Sequence, residues 1–99
     1  MGFVQTISFT SDRMDEMQQV MERYQEQQRG RSPGLNRVTV ARDRDHDGRY
    51  LVIAEFESYE LAMENSARPE TDAFAKEMAQ LTTEQPTFGN YDVLSVDEG

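Results

Sequence analysis

Apolar and polar residues alternate along the first segment of the chain. In FVQTISF, Phe3, Gln5, Ile7 and Phe9 share one face and Val4, Thr6 and Ser8 the other, which predicts a strand over 3–9. The period then lengthens. Met14, Met17, Met21 and Tyr24 recur at spacings of three and four with Val20 beside them, so an amphipathic helix is expected to run to about Gln28. Ser11 or Asp12 is expected to cap it, Asp15 and Glu16 suit its first turn, and Gly30 can terminate it after Arg29. Pro33-Gly34 marks a turn. LNRVTVAR (35–42) and RYLVIAEFE (49–57) are strand-like, and Asp47-Gly48 between them is a hairpin signal. Ser58 is placed to cap a helix, YELAMENSA, that stops before Pro69. Pro69 opens a further helical segment whose apolar stripe is Phe74, Met78 and Leu81. Pro86 to Gly89 reads as a loop, NYDVLSV (90–96) as the last strand, and 97–99 as a fraying end.

This β-α-β-β-α-β order predicts an α+β, ferredoxin-like antiparallel sheet with its helices on one face. At 99 residues, with no repeat or linker, the chain is expected to form a single domain, 1–99. The sheet's second face should not be wet. Tyr50 to Ala54 is apolar on both sides, Leu94 and Val96 lie opposite Tyr91 and Val93, and Val38 and Val40 lie opposite Leu35 and Ala41. Half-solvated sheets alternate more cleanly than this. A symmetric homodimer joined through the sheets would cover such a patch.

Charge and composition narrow the chemistry. A net charge of -9 disfavours nucleic acid and anionic membranes. No apolar run approaches the roughly 20 residues of a membrane span, and MGFVQTISF lacks the basic region and cleavage site of a signal peptide. Gly2 precedes an apparent strand, which argues against a lipid anchor. A cytoplasmic protein is expected. The chain has no cysteine, hence no disulfide, thiolate metal site or thiol nucleophile. His46, the only histidine, sits in an acidic hairpin tip, DRDHDG (43–48). That tip matches D-x-D-x-D-G, the first half of a calcium loop. The bidentate Glu required at loop position twelve is replaced by Ala54, with Glu55 one residue late, and the flanks are strands. Asp43, Asp45 and Asp47 therefore read as a solvated tip, with a weak surface cation site as the alternative. No metal and no cofactor is predicted.

Polar and aromatic residues on otherwise buried strands are the informative ones, because a buried polar group is costly unless satisfied. Gln5 shares a face with Phe3 and Ile7, Arg37 with Leu35, Tyr50 with Phe56, and Tyr91 with Val93. Such groups bond one another, meet water at an interface, or line a cavity. The Met14, Met17 and Met21 stripe is either ordinary core or an adaptable pocket wall. Asn65 either projects an amide toward a cavity or lies exposed at a helix end.

The segment FESYELAMENSARPETDAFAKEMAQL, between a strand and the last strand, resembles the matching segment of the antibiotic biosynthesis monooxygenase-like, or dimeric α/β-barrel, superfamily. The resemblance implies a homodimer whose sheets form a barrel-like interface, with a pocket in each subunit between helices and sheet. Some members oxidise aromatic polyketides with no metal or flavin; others degrade heme or isomerise lactones. Many monooxygenase members place a Trp near the pocket, and this chain has none. Heme-degrading members use a helix His and a first-strand Asn; here the corresponding elements carry Asn65 and Gln5, which disfavours heme. On the matching elements the catalytic candidates are Asn65, Tyr50 and Tyr91, and the substrate-binding candidates are Gln5, Arg37, Phe56, Met17 and Met21. Two readings stay open. One is a cofactor-independent monooxygenase acting on an aromatic or polyketide-like molecule. The other is a non-catalytic homodimeric module that binds a small hydrophobic ligand or a protein partner.

Overall fold

The computed structural model describes residues 2–99. The elements follow in the order β1 (Phe3–Thr10), α1 (Met14–Gln28), β2 (Leu35–Arg42), β3 (Arg49–Phe56), α2 (Tyr59–Ser66), α3 (Pro69–Ala79) and β4 (Thr87–Asp92). The strands form one sheet in the order β2-β3-β1-β4, antiparallel at every junction. α1 carries the chain from β1 past β3 to β2, and α2 with α3 carries it from β3 past β1 to β4. This is the ferredoxin-like α+β arrangement that the element order predicts. No helix among the described residues is long and apolar enough to cross a membrane.

Register decides which side chains meet the helices. Phe3 lies opposite Phe56, Gln5 opposite Ala54, Ile7 opposite Val52 and Phe9 opposite Tyr50. These residues form the helix-facing rows of the two central strands. Phe9 and Val52 pack with Met17, Val20 and Met21 of α1 and with Met78 and Leu81 in one buried cluster. Phe3, Phe56 and Ala62 of α2 form a second, smaller one. Burying a side chain of this size contributes about 1.5–3 kcal/mol, so the first cluster is the main anchor of α1 and α3 on the sheet.

Three local expectations are corrected. Arg13, not Ser11 or Asp12, is the N-cap of α1. Ser11 Oγ instead accepts from the Arg13 N–H at 3.0 Å and donates to the Leu81 carbonyl at 2.7 Å, tying the entry of α1 to the segment after α3. Ser58 does cap α2, accepting from the Leu61 N–H at 3.2 Å. The second correction is β4, which starts at Thr87, where a loop is expected, and stops at Asp92. Among the described residues it pairs with β1 alone, from Ser8 with Thr87 to Phe3 with Asp92. One further bond, from the Val93 N–H to the Gly2 carbonyl at 2.9 Å, is the last between these segments among the described residues, and Leu94 and Val96 are exposed.

The third correction is a bulge between Leu35 and Arg37. Leu35 pairs with Phe56, Arg37 with Glu55 and Val38 with Ala54. An extra residue shifts the phase of alternation. Leu35 therefore joins Val38 and Val40 on the helix side, and Arg37 joins Thr39 and Ala41 on the other.

Candidate functional site

Between the two apolar clusters the helix side of the sheet is hollow. Ala54 forms the floor of the hollow, with Val38 beside it on β2 and Gln5 beside it on β1. Its side chain ends at Cβ, whereas Val52 and Phe56 on the same row are large enough to be buried against helices. The resulting cavity measures about 380 Å³. Its walls are Met21, Tyr24 and Gln28 of α1, Thr71, Phe74 and Met78 of α3, and Asn65 and Ser66 at the end of α2.

The walls are braced. Tyr24 stacks on Phe74 with ring centroids 4.1 Å apart and planes at 13°, and its hydroxyl bonds Thr71 Oγ1 at 2.8 Å. The Arg68 guanidinium donates to the Arg31 carbonyl, lies 3.4 Å from Ser32 Oγ and pairs with Glu70 at 3.2 Å. These contacts staple the turn after α1 to the α2–α3 junction. Ser32 Oγ in turn lies 3.5 Å from Asn65 Oδ1, and the N–H end of that amide remains as a donor. Gln5 Nε2 donates to Asn90 Oδ1 across to β4 at 3.3 Å. The lining holds no Asp, Glu or His. Its only cation, Arg29, has a side chain 78% exposed and paired with Glu26.

The structure divides the residues expected from sequence. Asn65, Gln5, Phe56 and Met21 meet at the cavity. Met17 is 0% exposed and belongs to the closed cluster. Tyr50 lies at that same closed end, stacked on Phe9 at 5.6 Å. Tyr91 pairs with Val4 on the helix-free face and is exposed there. Arg37, put on that face by the bulge, forks onto Glu55 with Nε–Oε2 at 2.6 Å and Nη2–Oε1 at 3.2 Å. The bond from Arg37 holds the Glu55 carboxyl below its ordinary range, and the same bond raises the Arg37 guanidinium. Tyr50, Tyr91 and Arg37 therefore do not converge with Asn65. Residues that the sequence reading did not single out for the site are Tyr24, Phe74 and Gln28. Gln28 carried a usable signal: it continues the Met14, Met17, Met21 and Tyr24 spacing by four more residues.

The acidic hairpin turns inward on itself. The Asp45 N–H donates to Asp43 Oδ1 at 2.9 Å and His46 Nδ1 lies 3.3 Å from Asp43 Oδ2. The backbone bond, above all, lowers the Asp43 pKa. No group of three acidic or histidine side chains among the described residues is arranged to hold a metal ion.

The helix-free face carries Thr6, Ile53 and Thr39 side by side in register, with Val4, Leu51 and Tyr91 around them. Gly89 makes room there, since a Cβ at that position would come within 2.7 Å of the Tyr91 hydroxyl.

A family model described as antibiotic biosynthesis monooxygenase matches residues 2–70. No curated protein sequence matches the chain. Among solved structures, it is similar to SnoaB, a cofactor-independent oxygenase from Streptomyces nogalater, in a mutant with one asparagine replaced by alanine. The identity is 23%, with 99% of this chain and 98% of that one covered, and the TM-score is 0.84. It is similar to Rv0793 from Mycobacterium tuberculosis at 12% identity, covering 97% and 98%, with a TM-score of 0.81. A conserved protein from Methanosarcina mazei matches at 6% identity, covering 92% and 91%, again with a TM-score of 0.81. At these identities the likeness is one of fold.

Proposed function

The chain belongs to the antibiotic biosynthesis monooxygenase family, and from that premise we propose that it is a cofactor-independent monooxygenase of aromatic or polyketide-like substrates. The observation that carries this reading is the hollow above Ala54, a mostly apolar chamber with an amide, Asn65, in its wall. A substrate of the anthrone or quinol type supplies its own electrons once deprotonated. Its carbanion reduces dioxygen, a carbon–oxygen bond forms, and collapse of the peroxide leaves one oxygen as a carbonyl and releases the other as water. The protein's part is to exclude bulk water and stabilise the enolate oxygen. The Asn65 N–H donor serves the second task, worth most where charge develops in a dry site. Gln5, Phe56 and Met21 shape the floor and wall around the ring.

The protein acts as a homodimer in this reading. Val4, Leu51, Ile53 and Tyr91 on the helix-free face are the surface that a second copy covers. Ile53→Asp, a charge in the middle of that face, is expected to give monomers in light scattering at micromolar concentration; an unchanged dimer mass would place the interface elsewhere.

Oxygen uptake with anthrone- and quinol-type substrates in metal-free buffer tests the activity. Uptake is expected with the native chain and is expected to fall sharply with Asn65→Ala. One observation favours the second reading, a non-catalytic ligand-binding module: the lining holds no carboxylate or imidazole to act as general base. No uptake across the panel, in a protein that still binds the aromatic ring, would select that module.

A further inference from the structure

We propose that Gln28 selects the guest of this cavity: its side-chain carbonyl accepts a hydrogen bond from a hydroxyl on an uncharged aromatic ring, so that a phenol is preferred over its ether or a carboxylate. This rests on the hollow being the ligand site and adds to it the chemical class that the site reads.

Gln28 closes α1, lines the cavity and is only 7% exposed. Its Oε1 is buried and has no hydrogen-bond partner among the described residues. Buried polar atoms are nearly always paired, and one left alone costs the full desolvation of that group. Three other polar side chains in the lining have a partner within the protein: Gln5 Nε2 on Asn90, the Tyr24 hydroxyl on Thr71, and Asn65 Oδ1 within 3.5 Å of Ser32 Oγ. Gln28 Oε1 is thus the buried acceptor left without a donor among the described residues. The sign of the guest's charge follows from the same lining. With Arg29, the one cation of the lining, turned to solvent, a guest that enters as an anion would give up its hydration for a single neutral amide donor, Asn65. The volume of about 380 Å³ falls within the range of small-molecule sites.

Three naphthalenes of similar size separate the terms: β-naphthol, its methyl ether, and the corresponding naphthoate. Their affinities for the full chain are read by calorimetry under argon, away from any turnover. β-Naphthol is expected to bind about ten-fold more tightly than the ether, one good hydrogen bond's worth, and the naphthoate more weakly than either. Gln28→Met keeps the length of the side chain and removes the acceptor. It is expected to bring β-naphthol down to the level of the ether, leave the ether unchanged, and raise the Tm of the ligand-free protein. Equal binding of β-naphthol and ether by the native chain overturns the assignment without touching the cavity as a ligand site, and needs no variant. Discrimination that survives in Gln28→Met also overturns it. Failure of all three to bind overturns both the assignment and the ligand site, whereas the oxygenase reading stands or falls on oxygen uptake alone.

Discussion

The two ends of the helix–sheet layer are built from the same elements and yet differ in what fills them. At one end Phe9, Val52, Met17, Val20, Met78 and Leu81 close on one another, and Met17 is shut off from solvent completely. A few residues along the same strands, Ala54 and Gln5 leave the hollow that Tyr24 and Phe74 roof. Backbone architecture does not make the difference; side-chain size on one row of β3 does. That row reads Tyr50, Val52, Ala54, Phe56, and the gap falls at its smallest member. Unfilled volume in a core forfeits packing energy. A fold that closes well at one end and stays open at the other keeps stability and ligand space in separate places.

Truncation at each end breaks or sustains that contrast most strongly. Met17→Ala, in the closed end, should cost about 2–5 kcal/mol in chemical denaturation. Phe88→Ala, on the exposed edge of the cavity, should cost less than about 1 kcal/mol. Similar losses at the two positions would erase the distinction. Next in size is the catalytic contrast. Asn65→Ala should lower turnover about 100-fold, the scale for one lost donor to a developing oxyanion, with a denaturation midpoint close to the native one. Tyr50→Phe, at the closed end, should leave kcat within about two-fold; a loss there comparable to that of Asn65→Ala would put the chemistry at the wrong end.

The smallest effects lie outside both regions, in the carboxylates with lowered pKa. Glu55 is held by Arg37, and Asp43 chiefly by the Asp45 N–H. A folded-state pKa below the unfolded one contributes stability that is present at neutral pH and lost as pH falls through the folded pKa. The ordinary values are 4.5 and 3.8, so the loss belongs below these. Carboxyl chemical shifts followed by NMR should show both groups titrating below those values, and Arg37→Gln should return Glu55 toward its own without changing ligand affinity. Both groups sit at exposed positions, so the effect on acid unfolding should be slight.

How much of this was legible in the sequence depended on whether local pattern or pairing set the outcome. β1, α1 and the β2–β3 hairpin follow from alternation, helical spacing and Asp47-Gly48, and the structure has them. The element order alone carries the ferredoxin-like fold. β4 was not legible, because its extent is set by β1. Leu94 and Val96 look like strand residues, but among the described residues the pairing with β1 runs no further than Val93 with Gly2, while Thr87 to Gly89 pair despite a glycine because Ser8, Ile7 and Thr6 lie opposite. The candidate site was half legible. Asn65, Gln5, Phe56 and Met21 reach the cavity from readings of face and element. Arg37 missed it because a bulge, invisible to strict alternation, reversed its face. Tyr91 missed it because its face is fixed by pairing with Val4. Gln28 escaped notice because a glutamine at a helix end looks solvated, although its position on the methionine stripe puts it inside.

The claim that the hollow is a ligand chamber is tested most directly by the Tm shift that β-naphthol causes in Ala54→Leu compared with the native chain. Leu adds bulk to the floor without adding a polar group. The native Tm should rise with saturating β-naphthol, as ligand binding to the folded state requires. The variant should melt no lower than the native protein when free, since the added methyl groups enter open space, and should show no ligand shift. An undiminished shift in the variant, or a free Tm well below the native one, would contradict the account: the first would place the ligand elsewhere, and the second would mean that the space above Ala54 is not open.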